Sequence, residues 1–175
     1  MTSSREFEGV QVEVQVGDIT QQPDLDAVVN AANAQLSTGG GVAGAIHRAA
    51  GPALEEECRP LAPIQPGQAV ITSGCDLANP HVIHVLGPVY ERDEPSDELL
   101  GSCYREALRL ADEHGLTSVG FPAVSTGAFG YPLGEAAMVA IDAVRRTAPD
   151  LESVRTVRFV LADDTAFEVH ERALG

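Results

Sequence analysis

Gly39-Gly40-Gly41-Val42-Ala43-Gly44 and Ser125-Thr126-Gly127-Ala128-Phe129-Gly130 are two glycine-rich stretches, each running into a segment with helical spacing. The start of a helix leaves backbone N–H groups without intrahelical partners and carries the positive end of the aligned peptide dipoles. Glycine lets a ligand approach that backbone closely, so each stretch predicts an anion site, and two of them suit a diphosphate. The first stretch spells G-x-G-x-x-G, but outside the setting of a dinucleotide fingerprint. Nine residues, Ala31 to Gly39, lie between the expected strand end at Asn30 and Gly40, and the next acidic cluster, Glu55-Glu56-Glu57, falls in a helical pattern. A P-loop is excluded because that loop needs a lysine on the β/γ-phosphates, and the chain contains none.

Working outward, the segments around the loops alternate between strand and helix patterns. Val10, Val12, Val14 and Val16 alternate with Gln11, Glu13 and Gln15, the period of a strand with one buried face, which delivers Gly17-Asp18-Ile19 into a loop. Asp26 to Asn30 is an apolar run suited to a buried strand, and Val42, Ile46 and Ala50 have helical spacing ended by Gly51-Pro52. A further helix is expected from Ala53 to Arg59, before Pro60, Pro63 and Pro66-Gly67 break the pattern. Strands over Ala69–Thr72 and His81–Leu86 precede a long amphipathic helix from Asp97 to His114. Ser118–Phe121 is a strand running into the second glycine stretch, followed by a helix over Leu133–Thr147. A strand at Val157–Leu161, an acidic cap at Asp163-Asp164-Thr165 and a helix over Ala166–Leu174 close the chain. This alternation predicts an α/β fold with a mixed, mostly parallel central sheet covered on both faces, its ligand beyond the carboxyl ends of the strands. Residues 1–9 read as a polar N-terminal leader and residues 10–175 as a single domain.

Composition narrows the function. At 175 residues the chain is long enough to bury a core without staples. Cys58, Cys75 and Cys103 are odd in number and lack C-x-x-C spacing, so small buried thiols are expected rather than disulfides or a zinc knuckle. The polar start has no signal-peptide core and no apolar run approaches a membrane span, so a cytoplasmic protein without a membrane partner is expected. The net charge of −15 argues against a basic-groove nucleic-acid binder. A small diphosphate remains compatible, because N–H donors act at hydrogen-bond range whereas the diffuse field is screened within about 8–10 Å.

Five motifs in register carry a family resemblance: Gly17-Asp18-Ile19-Thr20; Val29-Asn30-Ala31-Ala32-Asn33; Gly39 through His47; Val82-Ile83-His84-Val85-Leu86-Gly87-Pro88; and Phe121 through Gly130. In order and spacing they resemble the macrodomains, over roughly residues 10 to 174. The resemblance implies a three-layer α/β/α sandwich that binds ADP-ribose. In many members it also implies hydrolysis of ADP-ribose from modified proteins, or of O-acetyl-ADP-ribose. The partners it implies are ADP-ribose, ADP-ribosylated protein and O-acetyl-ADP-ribose, with nucleic acid only as an ADP-ribosylated substrate. No cofactor and no metal are implied.

By the same resemblance, Asp18 accepts a hydrogen bond from the adenine amine and the Ile19 N–H meets a ring nitrogen, although an Asp here also suits a simple turn cap. Asn33 holds the distal ribose hydroxyls, and Asn30 is structural, bonding backbone in the turn. Gly40, Gly41 and Val42 on one side, with Ser125, Thr126, Gly127, Ala128 and Phe129 on the other, wrap the diphosphate and distal ribose. Phe129 lies against that ribose or serves only as core. His47 and His84 are expected as packing residues rather than general bases. Two departures stand out. Some hydrolase members have an aspartate where this chain has Ala43, and many relatives have an adenine-stacking aromatic where this chain has Ala162. Two readings therefore stand together. One is a mono-ADP-ribosyl hydrolase acting on carboxylate-linked ADP-ribose, in which Asn33, Gly41 and Phe129 position ribose and a water activated by the ligand's own phosphate. The other is a non-enzymatic reader of ADP-ribose.

Overall fold

The computed structural model describes all 175 residues, Met1–Gly175. Seven strands form one sheet: β1 (Thr2–Phe7), β2 (Val10–Val16), β3 (Ala27–Ala31), β4 (Ala69–Ser73), β5 (His81–Val85), β6 (Ser118–Phe121) and β7 (Thr156–Leu161). Five helices cover it: α1 (Gly41–Ala50), α2 (Ala53–Cys58), α3 (Ser96–Glu113), α4 (Leu133–Thr147) and α5 (Asp164–Leu174). Across the sheet the order is β1-β2-β7-β6-β3-β5-β4, with the inner strands parallel and β1 and β4 antiparallel at the edges. This is the expected three-layer α/β/α sandwich. No helix is long and apolar enough to cross a membrane.

The pleat sorts side chains between two cores. Ala27, Val29, Ile83, Val85, Phe159 and Leu161 enter the larger core with α3, α4 and α5, while Val28, Val82 and Val160 enter the smaller one with α1 and α2. Strands covered on both faces bury successive residues, which is why β3 and β5 read as apolar runs rather than alternations. The rings of Tyr104, Phe121 and Phe159 meet at the centre of the larger core, Tyr104 and Phe121 with centroids 4.9 Å apart.

The first nine residues do not stand apart from the domain as a leader. Thr2–Phe7 is the edge strand β1, returned onto β2 by a two-residue turn at Glu8 and Gly9, both with positive φ, so that Phe7 pairs with Val10. Ser3 hydrogen-bonds Glu171, and Arg5 Nη1 donates to the Leu174 carbonyl at 3.0 Å, tying the strand to α5. Among Thr2–Phe7 only Phe7 is buried, so no apolar period marks the strand. A charged edge also discourages pairing with another chain.

Because β2, β7, β6, β3 and β5 run parallel, their carboxyl ends share one side of the sheet. In spatial order they deliver Gly17-Asp18, Ala162, the loop Pro122–Tyr131, the loop Ala32–Gly40, and Leu86–Gly87. Neighbouring strands are spaced by about 4.8 Å, so this row spans roughly 19 Å.

Candidate functional site

Both glycine stretches lie in the middle of that row, after the neighbouring strands β3 and β6. The first opens α1. Gly40 caps that helix with extended backbone and no side-chain bond, and the first turn holds no acidic residue, so no capping side chain and no carboxylate of the helix's own first turn meets the N–H groups at its start. The first helical bond is made by Gly44 N–H to the Gly40 carbonyl at 3.1 Å, which leaves the N–H groups of Gly41, Val42 and Ala43 ahead of it. Gly44 serves packing. A β-carbon there would lie 2.5 Å from the Gly39 carbonyl oxygen, so only glycine lets the loop fold back on its helix.

The second stretch is closed by its own backbone. Tyr131 N–H bonds the Ser125 carbonyl at 3.0 Å, Gly130 N–H the Gly127 carbonyl at 3.0 Å, and Thr126 Oγ1 donates to the Ala123 carbonyl at 2.8 Å. The N–H groups of Gly127, Ala128 and Phe129 are not used in this closure. At Gly40, Gly41 and Gly127 a β-carbon would meet nothing within 4 Å. Both stretches thus border open space with backbone donors, as an anion site requires.

Two supports of this loop carry no role in the sequence reading. Tyr104, from α3, bridges the loop's start: its Oη donates to the Pro122 carbonyl at 3.4 Å and accepts from Val124 N–H at 3.2 Å. Gly87, after β5, packs under Ser125, a buried residue held at φ +67. Such a backbone conformation is uncommon outside glycine and persists where the surroundings enforce it. A β-carbon on Gly87 would collide with Ser125 Oγ and lie 2.7 Å from Val124 Cγ1. Gly87→Ala is therefore expected to cost about 1–3 kcal/mol of stability, the range for overpacking. It should also displace the loop enough to weaken a ligand held there by about tenfold, read by thermal melting and calorimetry side by side.

Asn33, half-buried after β3, is turned onto its own loop. Its Nδ2 donates to the Ser37 carbonyl at 3.2 Å and its Oδ1 accepts from Ser37 N–H at 3.1 Å. A β-carbon built on Gly39 would stand 3.5 Å from Asn33 Nδ2 and 4.0 Å from Ala43 Cβ, so Asn33, the glycine loop and Ala43 converge. Phe129 is half-buried, and its ring packs against the smaller core beside the hollow that Asn33 also lines.

At the far end of the row, Asp18 is exposed. Its Oδ1 accepts from Thr20 N–H at 2.9 Å and Thr20 Oγ1 at 2.7 Å, and the Thr20 side chain, with the backbone bond, holds its pKa below the ordinary carboxylate value. It does cap a turn, and both bonds fall on one oxygen. Ile19 is buried in the smaller core. Gly17 N–H bonds the Leu161 carbonyl at 2.9 Å, which brings Asp18 beside the exposed Ala162.

Asn30 is structural but does not bond backbone in a turn. It lies within β3, fully buried, with Nδ2 3.0 Å from His84 Nδ1. The register explains this, because Asn30 sits opposite His84 in the parallel pair β3–β5. His84 Nε2 meets Thr72 Oγ1 at 3.0 Å and Cys58 Sγ at 3.6 Å. Burial, with neighbouring His47 adding to it, pushes the His84 pKa down to about 4; burial also lowers that of His47, and it pushes the Cys58 thiol up to about 11. His84 is thus a hydrogen-bonded packing residue, while His47 is buried with neither ring nitrogen hydrogen-bonded. Cys75, expected to be buried, is half-exposed, while Cys58 and Cys103 are buried and all three are free. A hollow of ≈ 760 Å³ between α4 and α5 touches none of the glycine loops.

Comparison with known proteins agrees with this geometry. The Macro domain family model matches residues 29–140. The chain is 49% identical over 165 residues to a macro domain-containing protein of Streptomyces nogalater, covering 91% of this chain and 89% of that one. It is 44% identical over 169 residues to a protein named O-acetyl-ADP-ribose deacetylase from Cronobacter sakazakii, covering 94% and 93% of the two chains. Among solved structures, the Oceanobacillus iheyensis macrodomain with ADP superposes with a TM-score of 0.95 at 35% identity, covering 99% of this chain and 95% of that one. The Trypanosoma brucei macrodomain in complex with ADP-ribose superposes with a TM-score of 0.87 at 38% identity, covering 94% and 69%.

Proposed function

The chain belongs to the macrodomain family, and from that premise we propose that it binds ADP-ribose along the row of strand ends and hydrolyses ADP-ribose from carboxylate-modified proteins, with O-acetyl-ADP-ribose as a related ester substrate. The observation that carries the binding half is the pair of loops bordering open space at Gly40, Gly41 and Gly127 with backbone donors that the fold leaves unused. Adenine then lies at Asp18 and Ile19, the diphosphate against Gly40, Gly41, Val42 and Ser125 through Ala128, and the distal ribose between Asn33 and Phe129. Relatives named or solved with ADP, ADP-ribose or O-acetyl-ADP-ribose support the same ligand.

The hydrolytic half rests on positioning. A water at the Gly41 backbone attacks C1″ of the distal ribose, the bond from C1″ to the ester oxygen breaks, and the carrier leaves as its carboxylate. The proton released by water passes to an oxygen of the ligand's own diphosphate and then to solvent. Orientation alone lowers barriers by several kcal/mol, and a phosphate oxygen is a weak base held at the reacting centre. Asn33→Ala is expected to lower kcat about tenfold while ADP-ribose affinity falls less than threefold; equal losses in kcat and affinity would reduce Asn33 to a binding residue. Ala43→Asp is expected to raise kcat, because Ala43 converges with Asn33 and a carboxylate there adds a base beside the water.

The second reading, a non-enzymatic reader, is favoured by Ala43 itself, where a carboxylate is missing. One experiment separates the two. A glutamate-linked mono-ADP-ribosylated protein is applied to the immobilised chain, and free ADP-ribose and retained protein are followed together. Release is expected; retention without release makes the chain a reader.

A further inference from the structure

Past Asn33 and Phe129, at the β5 end of the row, lies a hollow of ≈ 400 Å³ bounded by the loops at residues 33–35, 63–66, 86–93 and by Phe129. We infer that this hollow receives the polypeptide carrier to which ADP-ribose is bonded, and that Arg92 at its rim selects carriers with carboxylates beside the linkage. The inference rests on the ADP-ribose reading above.

Position comes first. The adenine end of the row is at β2, four strands away, so a group bonded to the distal ribose continues toward β5. The hollow begins there, sharing Asn33 and Phe129 as walls with the ribose position. Its size lies within the range of small-ligand sites and far exceeds an acetyl group, whereas an amino-acid side chain with adjoining backbone fills it.

The walls are preformed. Ile64 N–H bonds the Ala34 carbonyl at 2.9 Å, Gly67 N–H the Leu86 carbonyl at 2.8 Å, and Tyr90 N–H the Phe129 carbonyl at 2.9 Å, so each loop is tied to the next. Val89 N–H donates to Asp93 Oδ2 at 2.8 Å, closing the segment that carries Arg92. A site whose loops are already ordered binds without the cost of ordering them.

Charge gives the specificity. At a net charge of −15 the chain repels acidic segments in general. Among the residues lining the hollow, Arg92 is the cation and Asp93 the anion, while the exposed Glu91 and Glu94 on the same segment line the adjoining hollow with Tyr90 and Tyr131. Asp93 is engaged, one oxygen by Val89 N–H and the other 3.7 Å from Arg92 Nε. The Arg92 side chain is 74% exposed, and its two terminal nitrogens are free to meet a carboxylate in the fork geometry that guanidinium favours.

The test measures affinity for free ADP-ribose and for two stable conjugates, in which ADP-ribose is joined by an amide to a peptide with either acidic or neutral residues beside the linkage. Wild type is expected to hold the acidic conjugate about tenfold, and the neutral conjugate about threefold, more tightly than free ADP-ribose. Gln65→Trp, which crowds the hollow from an exposed position, is expected to remove the advantage of both conjugates, and Arg92→Glu that of the acidic conjugate by about three- to tenfold at low salt. In both variants the affinity for free ADP-ribose stays within twofold of wild type. Losses shared equally by free ADP-ribose would make the hollow part of the nucleotide site, and unchanged conjugate affinities would leave it without a role; either result overturns the inference. A wild-type chain with no affinity for free ADP-ribose would instead bring down the reading on which it rests.

Discussion

Gly127→Glu is expected to abolish ADP-ribose binding, raising the dissociation constant by at least about a thousandfold while leaving the fold intact. Gly127 is exposed, a β-carbon there meets nothing within 4 Å, and its φ lies outside the left-handed region, so the backbone accepts a glutamate without strain. Surface changes of that kind alter stability by about 0.5 kcal/mol or less. For a domain of this size that is about 2 °C or less in Tm. The side chain extends from the loop into open space, which the proposed pose gives to the diphosphate. There it brings a carboxylate against two phosphates at short range, and it occupies their volume. Like-charge contact in a partly desolvated site costs several kcal/mol, and the steric conflict adds to it. Calorimetry with ADP-ribose beside a thermal melt reads both quantities. An affinity within tenfold of wild type, at unchanged Tm, would show that the second glycine loop does not hold the diphosphate.

The second large effect concerns stability and acid. His84 is fully buried and its pKa is pushed down to about 4, first by burial and then by neighbouring His47. In the unfolded chain the same ring titrates near 6.5. The unfolded state therefore binds a proton that the folded state refuses, and stability falls as pH drops from about 6.5 toward 4. At pH 4.5 this single group is expected to have removed about 2–3 kcal/mol, a large share of an ordinary domain's stability. His47 and His170, whose pKa values burial also lowers, steepen the same slope. The carboxylates with depressed pKa values, Asp18, Asp24, Glu57 and Asp112, act lower, because their stabilisation is complete above the unfolded carboxylate range and is lost as pH falls through their folded values. Urea unfolding at pH 7 and pH 4.5 separates the contributions. His84→Gln, which keeps hydrogen-bonding capacity toward Asn30 and Thr72, is expected to start less stable at pH 7 and to lose about 2–3 kcal/mol less between the two pH values. A variant with the same pH dependence as wild type would mean that His84 titrates normally in the folded protein.

Much of this was legible in the residues alone because it depends on local rules. The valine alternation of β2, the apolar runs of β3 and β5 and the helical spacing of α1, α3 and α4 each follow from which faces of an element are covered. β1 was not legible, because an edge strand buries one side chain and takes its hydrogen bonds from β2, a partner its own composition does not announce. The open backbone donors of the two glycine stretches were legible too, since a glycine-rich loop needs only sequence neighbours. Asn30 misled, because its partner His84 lies 54 residues away and meets it only through strand register. Gly87 and Tyr104 gave no sign of their support for the Ser125 loop, one being a glycine before a proline and the other an apolar-face residue of α3.

Apart from β1, the strands and helices, the two glycine loops and the family follow from the residues alone, because helix starts, pleat alternation and motif spacing are properties of short stretches of chain. Tertiary structure decided the order of the row from Asp18 to Gly87, the strained seat of Ser125 over Gly87, and the hollow beyond Phe129. Those depend on which strands lie side by side and on contacts between residues far apart in the chain, and such contacts acquire positions only when the sheet closes around its two cores.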